Sequence, residues 1–212
     1  MKKKRKTDLF TSVCLLAAFA AFTVAVVSVD VSAIGPCGSK IGFSHINAAF
    51  HAVTGVNMAL YTLTDWLGLI PIFVCLCYAA VGLIQLIKRR SIFKVDKSIT
   101  ALGIFYIAVI AAYVLFEKMP INYRPVLING SLEVSYPSST TLLVLTVMPS
   151  AAVDLKDRIK QVYARRLTVT LIWTFTAFTV FARLISGVHW LTDIVGGVLL
   201  SGALVCGYRA IA

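Results

Sequence analysis

Arg183, His189 and Asp193 stand in one short segment, with five residues between Arg and His and three between His and Asp. A His and an Asp four apart at the start of a helix share one face, so the carboxylate can accept the Nδ1 proton and hold the tautomer. Nε2 then carries the lone pair, and the carboxylate stabilises the cation formed during attack, which suits a nucleophile. Two other segments supply what a phosphate requires. Lys118 and Arg124 lie in Glu117-Lys118-Met119-Pro120-Ile121-Asn122-Tyr123-Arg124-Pro125, and Ser138, Ser139 and Thr140 follow Tyr136-Pro137 at the opening of an apolar stretch. Guanidinium offers a fork of donors matching phosphate oxygens, lysine adds a point charge, and the amides at a helix N-terminus attract anions.

These residues need elements that bring them to one place. The chain of 212 residues is 59% hydrophobic and 14% charged, against roughly 45–50% and about 25% in soluble domains, which excludes a soluble globular protein. Apolar runs long enough to cross a bilayer core, ~20 residues each, cover about 9–29, 60–87, 99–116, 136–153, 167–182 and 191–208. The predicted fold is all-α: a polytopic membrane protein with six transmembrane helices in one bundle, residues 1–212 forming a single membrane-embedded domain. Of the 20 Lys and Arg, 16 precede the first run, lie between runs two and three or four and five, or follow the last. Short cytoplasmic loops retain such residues, so both termini are expected in the cytoplasm. The formal charge of +11 is then a matter of orientation, and no nucleic-acid partner is expected. Lys40, Lys118, Arg124 and Arg183 remain for the other face, where the three chemical segments also emerge.

The first run also admits reading as a signal peptide, since Val31-Ser32-Ala33 resembles a cleavage site, but its length favours an uncleaved anchor. Four of the five cysteines fall within runs and Cys37 in an outer loop, which speaks against a disulfide framework or a zinc site. Apolar residues from Ile41 to Val53 recur at near-helical spacing, so the segment 39–57 is expected along the outer membrane surface, either roofing the site or simply packing. Gly196 and Gly197 read as permitting close helix packing.

The three segments resemble the motifs of the type-2 phosphatidic acid phosphatase superfamily, the lipid phosphate phosphatases: K-x6-R-P, P-S-G-H and S-R-x5-H-x3-D. The third is matched from Arg183 to Asp193, with Ala182 in place of its serine. The resemblance implies that His189 forms a phosphohistidine, that Asp193 orients it, that Arg124 and Arg183 grip the phosphate, and that no metal or other cofactor takes part. Two positions depart from the pattern. Lys118 is one residue closer to Arg124 than the motif requires, with Glu117 at the strict position, and Thr140 stands where family members carry the histidine that protonates the leaving group. Such assistance is typically worth 10²–10⁴-fold.

Three explanations stay open: a diphosphate substrate whose phosphate leaving group needs little protonation, a substitute acid among His45, His51, Glu117 and Glu133, or a phosphate-binding relative with little turnover. The expected function is hydrolysis of a lipid phosphate or diphosphate, of the phosphatidic acid or polyprenyl diphosphate class. Its site would face the extracytoplasmic side of the cytoplasmic membrane, with the lipid substrate and membrane lipids as partners. The reading from a different class is a membrane binding or transport protein using the same cationic pocket.

Overall fold

The computed structural model describes residues 2–211; Met1 and Ala212, the ends of the predicted unit 1–212, lie outside the described residues. Eight α-helices carry the chain among those residues: α1 (Lys2–Ser28), α2 (Ser44–Thr54), α3 (Met58–Leu67), α4 (Leu69–Arg89), α5 (Lys97–Glu117), α6 (Ser139–Arg158), α7 (Val162–Ile185) and α8 (Leu191–Ile211). The structure is that of a multi-pass membrane protein. Five helical segments are long and apolar enough to cross a bilayer: α1, α3 with α4, α5, α7 and α8. Large aliphatic and aromatic side chains face outward along them, among them Phe10, Phe73, Ile107, Leu171 and Phe181. Water would penalise that surface and acyl chains do not.

The sixth expected span is α6, which plays a different part. Its 20 residues reach roughly 30 Å, the thickness of a bilayer core, yet it is the most enclosed helix, packed against α4, α5, α7 and α8. Leu142, Val144, Thr146, Val147, Ser150 and Ala151 are all buried along it. Being sheltered from lipid, α6 tolerates the hydroxyls and the charged last turn that make it less apolar than its neighbours. The hydroxyls of Thr146 and Ser150 return hydrogen bonds to carbonyls one turn back, at Leu142 and Val147, which satisfies them inside the bundle.

The apolar stretch expected as one span at 60–87 is two helices meeting at Gly68, whose φ of −62° and ψ of −18° keep the chain on a helical path. Together they run 32 residues, about 48 Å at 1.5 Å per residue, more than a bilayer core requires. The surplus is α3, which packs alongside the end of α7, Asn57 N at its start donating to the Ser186 carbonyl at 2.9 Å. α2 occupies the segment expected at the membrane surface and buries Ser44 and Asn47.

Two close approaches set the helix frame. Ser12 of α1 donates to the Ala203 carbonyl of α8 at 2.7 Å, and a Cβ at Gly207 would sit 3.1 Å from the Ser12 hydroxyl. A Cβ at Gly196 would lie 2.5 Å from the Tyr136 ring, so that glycine lets the segment before α6 lie flat on α8. At the opposite end from the site, the Asp154 carboxylate of α6 accepts from Arg158 Nε at 2.6 Å and from the Tyr78 hydroxyl of α4 at 2.9 Å. Arg158 also reaches Ser98 of α5 at 2.9 Å.

Candidate active site

The connector from α5 to α6 is an irregular hairpin. Arg124 N donates to the Glu133 carbonyl at 3.0 Å and Ser135 N to the Asn122 carbonyl at 2.9 Å. Its tip is Ile128-Asn129-Gly130-Ser131, with φ of 50° at Asn129 and 78° at Gly130. Asn-Gly is the dipeptide that takes two positive φ values at least cost. The hairpin carries Arg124 inward, where it is buried, and places Glu133 beside it, Oε2 lying 2.9 Å from Arg124 Nε.

The turn from α7 to α8 carries His189. Gly187 has φ of 68°, and a Cβ there would fall 1.7 Å from the Gly55 carbonyl oxygen, so glycine is needed both for the turn and for the approach of the chain following α2. His51 of α2 braces the same turn, Nε2 lying 3.1 Å from the Gly187 carbonyl and the ring centroid 5.4 Å from that of Trp190. Trp190 is held in turn by its indole N–H, donated to the Tyr123 carbonyl at 2.7 Å.

Arg124, Arg183 and His189 come together in this enclosure. Arg124 Nη1 lies 3.0 Å from His189 Nε2. A guanidinium N–H can only donate, so Nε2 is the acceptor and the ring proton resides on Nδ1. His189 Nδ1 is 3.4 Å from Asp193 Oδ2, an ion-pair separation longer than a hydrogen bond. The physical reason is that α8 begins at Leu191, two residues after His189, and the carboxylate is already engaged. Its Oδ2 accepts from Trp190 N at 3.0 Å and its Oδ1 from Asn122 Nδ2 at 3.2 Å. Burial, with the Arg124 and Arg183 cations, holds the His189 imidazole well below its ordinary pKa; the Ser135 backbone pulls weakly the other way.

Arg183, only 1% exposed, is the largest wholly enclosed side chain. It donates to Thr64 Oγ1 at 3.1 Å and approaches Asp65 Oδ1 at 3.8 Å. The Tyr61 ring lies beneath both guanidinium groups, its centroid 4.8 Å from Arg183 Cζ and 5.7 Å from Arg124 Cζ. Arg183 Nε is a buried donor without a hydrogen-bond partner among the described residues, while Arg124 Nε meets the Glu133 carboxylate and His189 Nδ1 faces Asp193. Two like charges side by side with an unmet donor suit a multivalent oxyanion.

The opening of α6 completes the enclosure. Ser138 is the N-cap, its Oγ 3.1 Å from the Thr141 hydroxyl, and its amide donates to the Asp193 carbonyl at 3.0 Å. Ser139 lines a cleft beside His189 together with Glu117, Ser135 and Tyr136. Thr140 is buried and its methyl faces the junction of α3 and α4, where a Cβ at Gly68 would be 3.4 Å away. Lys118 is the exposed C-cap of α5, so of the two neighbours it is Glu117 that lines the cleft. His45 is drawn away from the site, its Nδ1 lying 2.7 Å from Asp30. No group of three or more His, Cys, Asp or Glu converges to hold a metal among the described residues.

Residues 120–212 match the family model of the PAP2 superfamily. The resemblance drawn from the motifs thus stands on a family-wide pattern. The chain is also similar to a solved structure, that of the first transmembrane PAP2 type phosphatidylglycerolphosphate phosphatase from Bacillus subtilis. The TM-score is 0.59 at 16% identity, covering 95% of this chain and 94% of that one. That likeness is one of fold. No curated protein matches the chain. The PAP2 match takes in Arg124, Ser138 to Thr140, Arg183, His189 and Asp193, and leaves Tyr61, Thr64 and Asp65 outside it. The motifs give no role to those three residues or to Asn122, and His51, a candidate substitute acid in the sequence, lies against the Gly187 carbonyl. Asn122 sits two positions before Arg124, but the sequence gives no sign of its partner, Asp193.

Proposed function

We propose that the protein is a membrane lipid phosphatase that hydrolyses a phosphate mono- or diphosphate ester through a phosphohistidine. The observation that carries this reading is the contact of Arg124 Nη1 with His189 Nε2, which leaves the nucleophilic lone pair pointing at a guanidinium. A phosphate gripped by Arg124 and Arg183 would meet Nε2 directly, since an arginine that touches the nucleophile also touches the ligand's oxygens. Asp193, held by Asn122 and the Trp190 amide, stabilises the imidazolium as the P–N bond forms. The α6 amides at Ser139 and Thr140 and the Ser138 cap support the phosphate, and Lys118 adds a distant positive charge at the mouth. Water then cleaves the phosphohistidine. These steps use side chains and backbone amides alone, in keeping with a metal-independent, cofactor-free reaction.

The whole chain is read as one membrane-embedded unit, with its basic ends in the cytoplasm and the site on the extracytoplasmic side of the cytoplasmic membrane. Supporting this, 16 of 20 basic residues belong to the helix ends opposite His189. The substrate class is an outer-leaflet lipid phosphate such as phosphatidic acid or a polyprenyl diphosphate.

A second reading, a phosphate-binding or transport relative with little turnover, is favoured by Thr140, which carries no proton donor acidic enough for an alkoxide. Purified protein in detergent, offered phosphatidic acid and a polyprenyl diphosphate, separates the two. Phosphate release that His189→Ala abolishes, with an acid-labile phosphoenzyme trapped in the wild type, supports the enzyme; equal background rates in both proteins sink it.

A further inference from the structure

Attack by His189 requires the leaving oxygen to depart on the far side of the phosphorus, and there the motif residue is Thr140, with no proton to give near neutral pH. The two arginines define which side that is. Arg124 Nη1 touches His189 Nε2, while Arg183 Nη1 turns the other way, toward the last turns of α3. Tyr61 lies under both guanidinium groups, so a phosphate spanning them has His189 beyond one arginine and α3 beyond the other. The acidic side chain at that second edge is Asp65, with Oδ1 3.8 Å from Arg183 Nη1. Its side chain is 61% exposed, so it is free to follow a bound ester oxygen. The Asp65 carbonyl and Thr140 Cγ2 also converge on one point, at 3.0 and 3.4 Å from a Cβ placed on Gly68, which puts Asp65 next to the position where the proton donor is missing.

The other acids and histidines are committed elsewhere. Glu133 pairs with Arg124 at 2.9 Å, His45 with Asp30, and His51 with the Gly187 carbonyl. Glu117 reaches the cleft past Ser135 and Tyr136, and Tyr136 packs on α8 at Gly196, one turn from Asp193. Glu117 approaches from the end of α5, whereas Asp65 is the carboxylate within reach of Arg183.

We propose that Asp65 is the acid–base residue of this site, acting where the superfamily motif would place a histidine. The assignment rests on the phosphatase reading above. In the first step the His189 Nε2 pair forms the P–N bond, the P–O bond to the lipid breaks, and the Asp65 carboxyl proton passes to the departing alkoxide. In the second, water attacks phosphorus, gives its proton to the Asp65 carboxylate, and the P–N bond breaks to free His189.

The test compares wild type, Asp65→Asn and Asp65→Glu on phosphatidic acid, whose alkoxide leaves poorly, and on p-nitrophenyl phosphate, whose phenolate needs no proton. The expected result for Asp65→Asn is a fall of 10²–10⁴-fold on phosphatidic acid. Phosphoenzyme formation from p-nitrophenyl phosphate should stay within threefold of wild type, and the phosphohistidine should accumulate because its hydrolysis is slowed. Asp65→Glu recovers part of the loss. An equal fall in phosphoenzyme formation from both substrates would mean that Asp65 only positions Arg183, and a fall under threefold on phosphatidic acid would mean no role; either overturns the assignment while leaving the phosphatase reading intact. A wild type that releases no phosphate from either substrate removes both.

Discussion

His189 is surrounded by the two arginines and by buried walls, so protonating it would add a third cation to an enclosure that excludes water. The imidazole therefore stays neutral well below its ordinary value, and its Nε2 keeps a lone pair under mildly acidic conditions. With only three histidines in the chain, nitrogen-15 NMR of the detergent-solubilised protein can follow each ring. The His189 signals should titrate well below about 6.5, and Arg124→Met should move that titration upward. The sign for stability follows: the unfolded chain takes up the proton first as pH falls. This site's contribution is full above about 6.5 and declines below it, which thermal melts across pH 7 to 4 would register. Asn122→Ala removes one donor from a buried carboxylate and should cost about 1–3 kcal/mol, with kcat falling more than KM rises. Spacing made Arg124, Arg183, His189 and Asp193 legible in the sequence because each lies in a short segment with its motif neighbours. Asn122, Tyr61 and Thr64 were not legible, since their partners are 71, 63 and 122, and 119 positions away and an asparagine or tyrosine in a loop or apolar run announces no partner.

Among the elements, the six apolar runs were legible from length and hydropathy, and the surface helix from its periodicity. Three things were not. The break at Gly68 leaves no trace because its dihedral angles remain helical. The enclosure of α6 depends on which neighbours surround it, which hydropathy does not encode. The hairpin between α5 and α6 shows only its turn, Asn129-Gly130, because Pro125 and the unbroken apolar run Val126-Leu127-Ile128 lack the alternation that marks a strand. The turn holding His189 offers a direct check. Gly187→Ala faces both a positive φ and a backbone oxygen 1.7 Å from its Cβ, so the turn must shift. A displacement near 1 Å can cost about 10²-fold in rate. Phosphate-release assays should show that loss with the helical circular dichroism unchanged. Gly196→Ala, whose Cβ would meet the Tyr136 ring, should lower both activity and melting temperature, since it pushes the start of α6 off α8.

Across the whole molecule, the chemistry gathers at one end of the bundle and a polar clamp at the other. Arg158→Met leaves the Asp154 carboxylate, itself only 6% exposed, with Tyr78 as its hydrogen-bond partner. A fully buried broken pair costs about 3–5 kcal/mol; Arg158 is 37% exposed, so about 1–3 kcal/mol is expected. Chemical denaturation in detergent would measure it, and kcat should not change because the clamp lies a helix length from His189. Orientation is tested by single cysteines in a background without the native five: Ser131→Cys, on the hairpin tip, should react with an impermeant maleimide from outside intact cells, and Lys160→Cys should not.

The long path through α3 and α4 has one more consequence. Residues 120–212 hold His189, Asp193 and both arginines, whereas the wall facing Arg183 is built by Tyr61, Thr64 and Asp65 from an earlier part of the chain. The two halves of the site are therefore carried by separate stretches of chain. Substituting residues of 58–68 other than Tyr61, Thr64 and Asp65 would reshape the surface that meets a departing group while leaving the contacts to Arg183 in place.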